Sequence, residues 1–306
     1  MRRNDVILLA VIFSSASLAI VAPDLCSPLQ PYPLYLMMFL MFMSFLRINF
    51  DSLLDTSIAS LRLLVVLVVF KLLILPAVLY WVTSFALPEF AVPALLLSGI
   101  STGVVAPFIA NLFETDVAPV LRMVIITSLL APFSLPVLAK TIAGAEVQIP
   151  LDLMIRLLAM VIFAPILALI IARRFFSGVL EKLIQFHFPV SLTIFAAINL
   201  GVFSKYSRFF FHSPHFIVMS LGIAYGLSVI YYMVGFLLVP GKHASARIAA
   251  GISFAVMNNV LVIVFSSHFF GPLSPTLAAM YMFPLFSMVI PIKILGSKFK
   301  WLSRNV

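Results

Sequence analysis

Charge is what this chain has least of. Only 9% of its 306 residues are Asp, Glu, Lys or Arg, and ten of these are acidic against 19 basic. A soluble domain carries about a quarter charged residues, so a water-facing globular fold is excluded. With 63% apolar residues and a mean hydropathy of +1.21, the composition is that of a polytopic membrane protein. The single cysteine, Cys26, cannot form an internal disulfide. The five histidines are dispersed at His187, His212, His215, His243 and His268, so no metal cluster or nucleophile–base pair can be drawn. That leaves an intramembrane enzyme without machinery and calls for no metal or cofactor. No linker, low-complexity tract or soluble domain interrupts the chain, so function must live in or between membrane spans. The excess of nine positive charges reads as topology, with no nucleic-acid partner.

What is present is apolar length. Five runs fill the first half, at 6–22, 33–46, 63–82, 90–112 and 117–138, and five the second, at 153–172, 184–203, 216–239, 248–268 and 276–295. Most have about the twenty residues that a bilayer demands. After Arg47, the apolar positions Phe50, Leu53, Leu54, Ile58 and Leu61 recur at helical spacing, which describes an interfacial amphipathic turn of helix or a cytoplasmic extension of span two. Alternating the loops puts thirteen Lys and Arg on the side of the N-terminus and three, Lys140, Lys205 and Arg208, on the other. This segregation predicts a cytoplasmic (inner) membrane protein with both termini in the cytoplasm. Five spans is an odd number, so halves 1–148 and 149–306 would sit in the membrane as inverted repeats.

Two runs are broken at their centres. Span four carries Ser101-Thr102-Gly103 and then Pro107, which has no amide hydrogen for the carbonyl of Gly103. Span nine carries Met257-Asn258-Asn259 in the corresponding place. Freed backbone groups in hydrocarbon must be buried in protein or face a cavity. Paired broken spans are the mark of a secondary transporter's binding site. Candidate binding residues are therefore Thr102, Gly103, Pro107, Asn258 and Asn259, with the intramembrane hydroxyls of Thr127, Ser128 and Ser253.

One charge stays deep inside. Lys71 is the ninth of twenty residues in span three, and no carboxylate shares the membrane interior with it, Glu114 and Asp116 being partners only if the cytoplasmic end of span four folds inward. Arg122 and Arg156 lie near span ends and can snorkel. An unpaired ammonium in hydrocarbon is costly, which makes Lys71 a candidate proton carrier or anion receptor. The plainer reading is a lysine that bonds carbonyls exposed by the breaks.

Four collinear stretches, Met41-Phe42-Met43, Phe70 to Pro76, Thr102 to Pro132 and Arg247 to Phe269, resemble the bile acid:sodium symporter family. The resemblance implies ten helices in two inverted five-helix repeats, a core of spans three, four, five, eight, nine and ten, and a panel of one, two, six and seven. It also implies where the sodium ligands fall: the third-span glutamine on Lys71, the fourth-span serine–asparagine pair on Ala106 and Pro107, the ninth-span glutamate on Phe254. The following glutamine and asparagine fall on Asn258 and Asn259, the tenth-span asparagine near Phe286, and a fifth-span hydroxyl on Thr127. With the carboxylate gone and an ammonium at a ligand position, Lys71 is expected to stand where sodium would sit, bonded to carbonyls of the broken helices and to Asn258. Coupling is then absent or carried by a proton. The resulting expectation is alternating-access transport of a small organic, anionic solute. Two alternatives stay open: a sodium-coupled organic anion symporter with rearranged ligands, and a non-transporting membrane sensor or assembly protein that kept the fold.

Overall fold

The computed structural model describes residues 3–46, 58–113, 115–144, 150–241 and 244–287. Most of the amphipathic stretch 50–61, Glu114 and the end of the tenth apolar run lie outside the described residues. Among the described residues every named element is helical. Apart from short helical pieces at Pro23–Cys26, Ser27–Leu29, Pro88–Phe90, Ser177–Gln185 and Ser207–His212, these are in chain order α1 (Arg3–Val21), α2 (Pro33–Phe45), α3 (Ser60–Ala86), α4 (Ala91–Ser98), α5 (Ala106–Leu112), α6 (Val117–Ile142), α7 (Leu151–Phe175), α8 (His187–Lys205), α9 (His215–Leu238), α10 (Ala244–Ala255), α11 (Asn259–Phe269), α12 (Leu273–Met280) and α13 (Met282–Ser287). Helices α3, α6, α7, α8 and α9 are each long and apolar enough to cross a membrane. Their outer faces agree with that environment. On α7 the exposed side chains Leu153, Met160, Leu167 and Ile171 repeat at helical spacing, a stripe that water would not tolerate and lipid favours.

Helices α4 and α11 are the opposite case. Ala94, Leu95, Leu96 and Leu97 on α4, and Leu261 through Phe265 on α11, are fully enclosed. A helix that is apolar all round belongs inside a protein. Each is one half of a broken pair, α4 with α5 and α11 with α10, and enclosure is what allows a break at membrane depth.

The first break spans 99–105 and the second 256–258. Pro107 lies just past the first of these openings. The amide of Ala106 bonds the carbonyl of Gly103 at 2.9 Å, and Pro107 sits in the first turn of α5. There the missing hydrogen has no intrahelical partner to lose. The preceding helix stops at Ser98, and the next starts at Ala106 with Pro107 in its first turn.

A different irregularity lies in α3. Residues Phe70–Ile74 form a π-helical turn in which the Leu75 amide reaches back to the carbonyl of Phe70. Pro76, with no hydrogen to offer Leu72, lies just beyond it. The widened turn holds Lys71, which is 1% exposed. Elsewhere, close packing comes from small residues: a Cβ on Gly235 of α9 would come within 2.5 Å of the Ala250 carbonyl oxygen on α10.

Candidate functional site

The two breaks cross and bond to each other. Thr102 and Met257 pair as an antiparallel bridge. The amide of Gly103 donates to the carbonyl of Val256 at 2.8 Å, and the amide of Asn258 donates to that of Ser101 at 3.0 Å. This brings the strands so close that a Cβ on Gly103 would lie 2.6 Å from the carbonyl oxygen of Met257. Glycine is required here by space.

A helix leaves its last carbonyls without intrahelical partners. At the end of α10, the carbonyl of Ile252 still receives the amide of Val256. The next four each take a donor from elsewhere. The carbonyl of Ser253 accepts from Thr102 Oγ1 at 2.8 Å. That of Phe254 accepts from Lys71 Nζ at 3.1 Å, that of Ala255 from the hydroxyl of Tyr281 at 2.7 Å, and that of Val256 from the Gly103 amide. The set is drawn from the first break, from α3 and from the α12–α13 junction.

Lys71 has no carboxylate partner among the described residues. Its Nζ lies against the negative end of the α10 dipole and 5.7 Å from the centre of the Phe254 ring. Asn258, expected as a further partner of the lysine, is engaged otherwise. Its Oδ1 caps α11 by accepting from the Leu261 amide at 3.4 Å, and its Nδ2 points at Met41 Sδ on α2, 3.7 Å away.

Thr127 joins the crossing from α6: its hydroxyl donates to the carbonyl of Met123 at 2.6 Å and accepts from the Thr102 amide at 2.9 Å. The other candidates are less directly involved. The Ser253 hydroxyl turns back to Ala249 on its own helix, so its carbonyl is what enters the site. Ser128 is buried beside Thr127 without entering the bonds that tie the crossing. Asn259 is 3% exposed, and both atoms of its amide lack a hydrogen-bond partner, as does the buried hydroxyl of Ser101. Asn199 lies apart, donating to Ser15 between α8 and α1. Arg156 pairs with Asp152 at 3.6 Å on an exposed face of α7.

Tyr281 was not expected. Its signal in the sequence is a tyrosine inside an apolar run, where a buried hydroxyl must find an acceptor. A second polar junction, also unexpected, lies between α8 and the far end of α11. Lys205 Nζ and the Tyr206 hydroxyl both donate to the carbonyl of Ser267, at 3.0 and 3.1 Å, and the Tyr206 hydroxyl lies 3.5 Å from that of Phe270.

Residues 34–213, more than half of the chain, match the model of the sodium bile acid symporter family. The chain belongs to this family. The matched stretch contains Lys71, Thr102, Gly103, Pro107, Thr127 and Ser128, and so one of the two crossing breaks. No curated protein matches the chain. Members of the sodium bile acid symporter family are secondary transporters and not enzymes, which makes this chain a multi-pass membrane transporter.

Proposed function

We propose that this member of the family moves a small organic anion across the cytoplasmic membrane by alternating access, without sodium, and that the Lys71 ammonium takes the place of the coupling cation. The observation that carries this reading is the end of α10. Half-helix ends and unwound carbonyls are where such transporters hold their ions. Here all four free carbonyls already hold protein donors, one of them a cation. Hard cations need several oxygen ligands, and a carboxylate is the usual charge match. The position on which the resemblance puts that carboxylate is Phe254. A lysine can also release and regain a proton, so coupling through Lys71 is available to the same site.

The anionic class of the solute is supported by the charge balance of the crossing. The N-terminus of α11 carries partial positive charge, Lys71 adds to it, and the amide of Asn259 is free to bond a ligand. The proposed architecture is ten spans in two inverted repeats, 1–148 and 149–306, with both termini in the cytoplasm. It is supported by the two breaks, which meet about half a chain apart at Thr102 and Met257, and by the segregation of loop charges. On this topology α8 belongs to the panel and α3 to α6 and α9 to α13 to the core.

The test is the thermal stability of purified protein in detergent, titrated with sodium against choline and then across pH, for the wild type and Lys71→Gln. A ligand that binds only the folded state raises the melting temperature. The expected result is indifference to sodium, a pH-dependent step in the wild type, and loss of that step in Lys71→Gln. A sodium-specific rise in the wild type would overturn the proposal and return this chain to sodium symport with rearranged ligands.

A further inference from the structure

The four donors at the end of α10 are of two kinds. Those on Ser253 and Val256 come from Thr102 and Gly103, and they are the crossing itself. Those on Phe254 and Ala255 are the tips of two side chains, Lys71 and Tyr281, from helices that reach in from opposite ends of the sequence. These two can be withdrawn without uncrossing the breaks. Tyr281 is fully buried at the junction of α12 and α13, with its ring packed on that of Tyr231 at 5.7 Å between centres. Its hydroxyl is therefore held in place from behind.

We infer that Tyr281 determines ion specificity: its hydroxyl and the Lys71 ammonium jointly occupy two neighbouring carbonyls that would otherwise offer a seat to a small hard cation such as sodium. This rests on the proposed sodium-independent function. The physical argument is one of substitution. A sodium ion at a helix C-terminus supplies positive charge and satisfies several oxygens at once. A lysine supplies the charge but, as a donor to one carbonyl here, leaves its neighbour to be satisfied by something else. In a dry interior that neighbour costs several kcal/mol if left bare. The tyrosine hydroxyl is the neutral complement. With Lys71 alone removed, the Ala255 carbonyl stays capped and an incoming ion lacks one of its ligands.

The experiment is binding of radioactive sodium to membranes containing the wild type, Lys71→Gln, Tyr281→Phe or the double variant, with choline as the balancing ion. Folding of each variant is checked by its elution as a single species after extraction. The double variant is expected to bind sodium on the order of tenfold more tightly than Lys71→Gln, the worth of one additional freed ligand, and the wild type and Tyr281→Phe not to bind. Equal binding by Lys71→Gln and the double variant would overturn the role of Tyr281 while leaving the reading of Lys71 standing. Binding by no folded variant would also overturn it. Binding by the wild type would overturn the proposed function together with this inference. If the double variant does not fold, Lys71→Gln with Tyr281→Leu, which likewise has no donor for the Ala255 carbonyl, replaces it with the same outcomes.

Discussion

Gly103 and Met257 touch backbone to backbone at the point where the two broken helices cross, with room for a hydrogen on Gly103 but not for a methyl group. The obstruction is a carbonyl in a hydrogen-bonded strand and not a flexible side chain, so it cannot turn aside. Gly103→Ala is expected to destabilise the protein by about 1–3 kcal/mol, the usual penalty of overpacking, and to abolish transport. A melting temperature equal to that of the wild type would show that the crossing can widen.

Thr127 carries two bonds of the crossing on one hydroxyl. Thr127→Val keeps shape and removes the acceptor of the Thr102 amide, leaving a buried donor unsatisfied at about 1–3 kcal/mol. Thr127→Ser is expected to restore most of that stability, because the hydroxyl is what matters. Chemical denaturation of the three proteins in the same detergent checks the order wild type, Ser, Val.

Much of this was legible from residue chemistry. Apolar runs and breaks follow from composition and from Gly103, Asn258 and Asn259, because hydrocarbon constrains the backbone so strongly. The opening ahead of Pro107 was legible, but not that Pro107 lies in the first turn of the next helix: a missing amide hydrogen suits the end of a helix or its start, and which it marks depends on the residues upstream. The partner of Lys71 could be narrowed to the broken helices but not to Phe254. Which carbonyl a long side chain reaches depends on the π-turn of α3, and nothing in Phe70 to Ile74 announces the extra residue. Tyr281 escaped notice because a single tyrosine in an apolar run looks like packing until its hydroxyl is placed.

Replacement of Lys71 distinguishes charge from hydrogen bonding. Without sodium, Lys71→Gln keeps a neutral donor for the Phe254 carbonyl, one that can turn its oxygen toward an incoming ion and yield the carbonyl to it, and Lys71→Met keeps only the stem. If the ammonium is the built-in cation, both variants lose pH-dependent uptake or stability. Only Lys71→Met also leaves the Phe254 carbonyl bare, with a further loss of about 1–3 kcal/mol. Melting curves of the two variants at one pH, compared with the wild type across pH, separate these effects. Equal stability of Lys71→Gln and Lys71→Met would show that the bond to Phe254 contributes nothing.

The junction of Lys205 and Tyr206 with the end of α11 ties the proposed panel to the proposed core at one end of the molecule. Cationic and neutral donors meet the negative end of a helix there, so the bonds are expected to hold that end shut. Lys205→Met with Tyr206→Phe should open it, widening the distance between spin labels at the exposed positions Arg208 and Gly271. Burial raises the Tyr206 hydroxyl above the ordinary tyrosine value of about 10. The folded state thus holds this proton more tightly than the unfolded state does. Its contribution to stability is fully present below the ordinary value and is lost as pH climbs through the raised one. The latch is therefore expected to stay closed across neutral pH and to weaken only in alkali. In Tyr206→Phe the share of that alkaline weakening due to the hydroxyl should vanish, leaving only what Lys205 contributes. Label distances that change between pH 6 and pH 8 through Tyr206, or that ignore both substitutions, would remove the latch from the account of how this end opens.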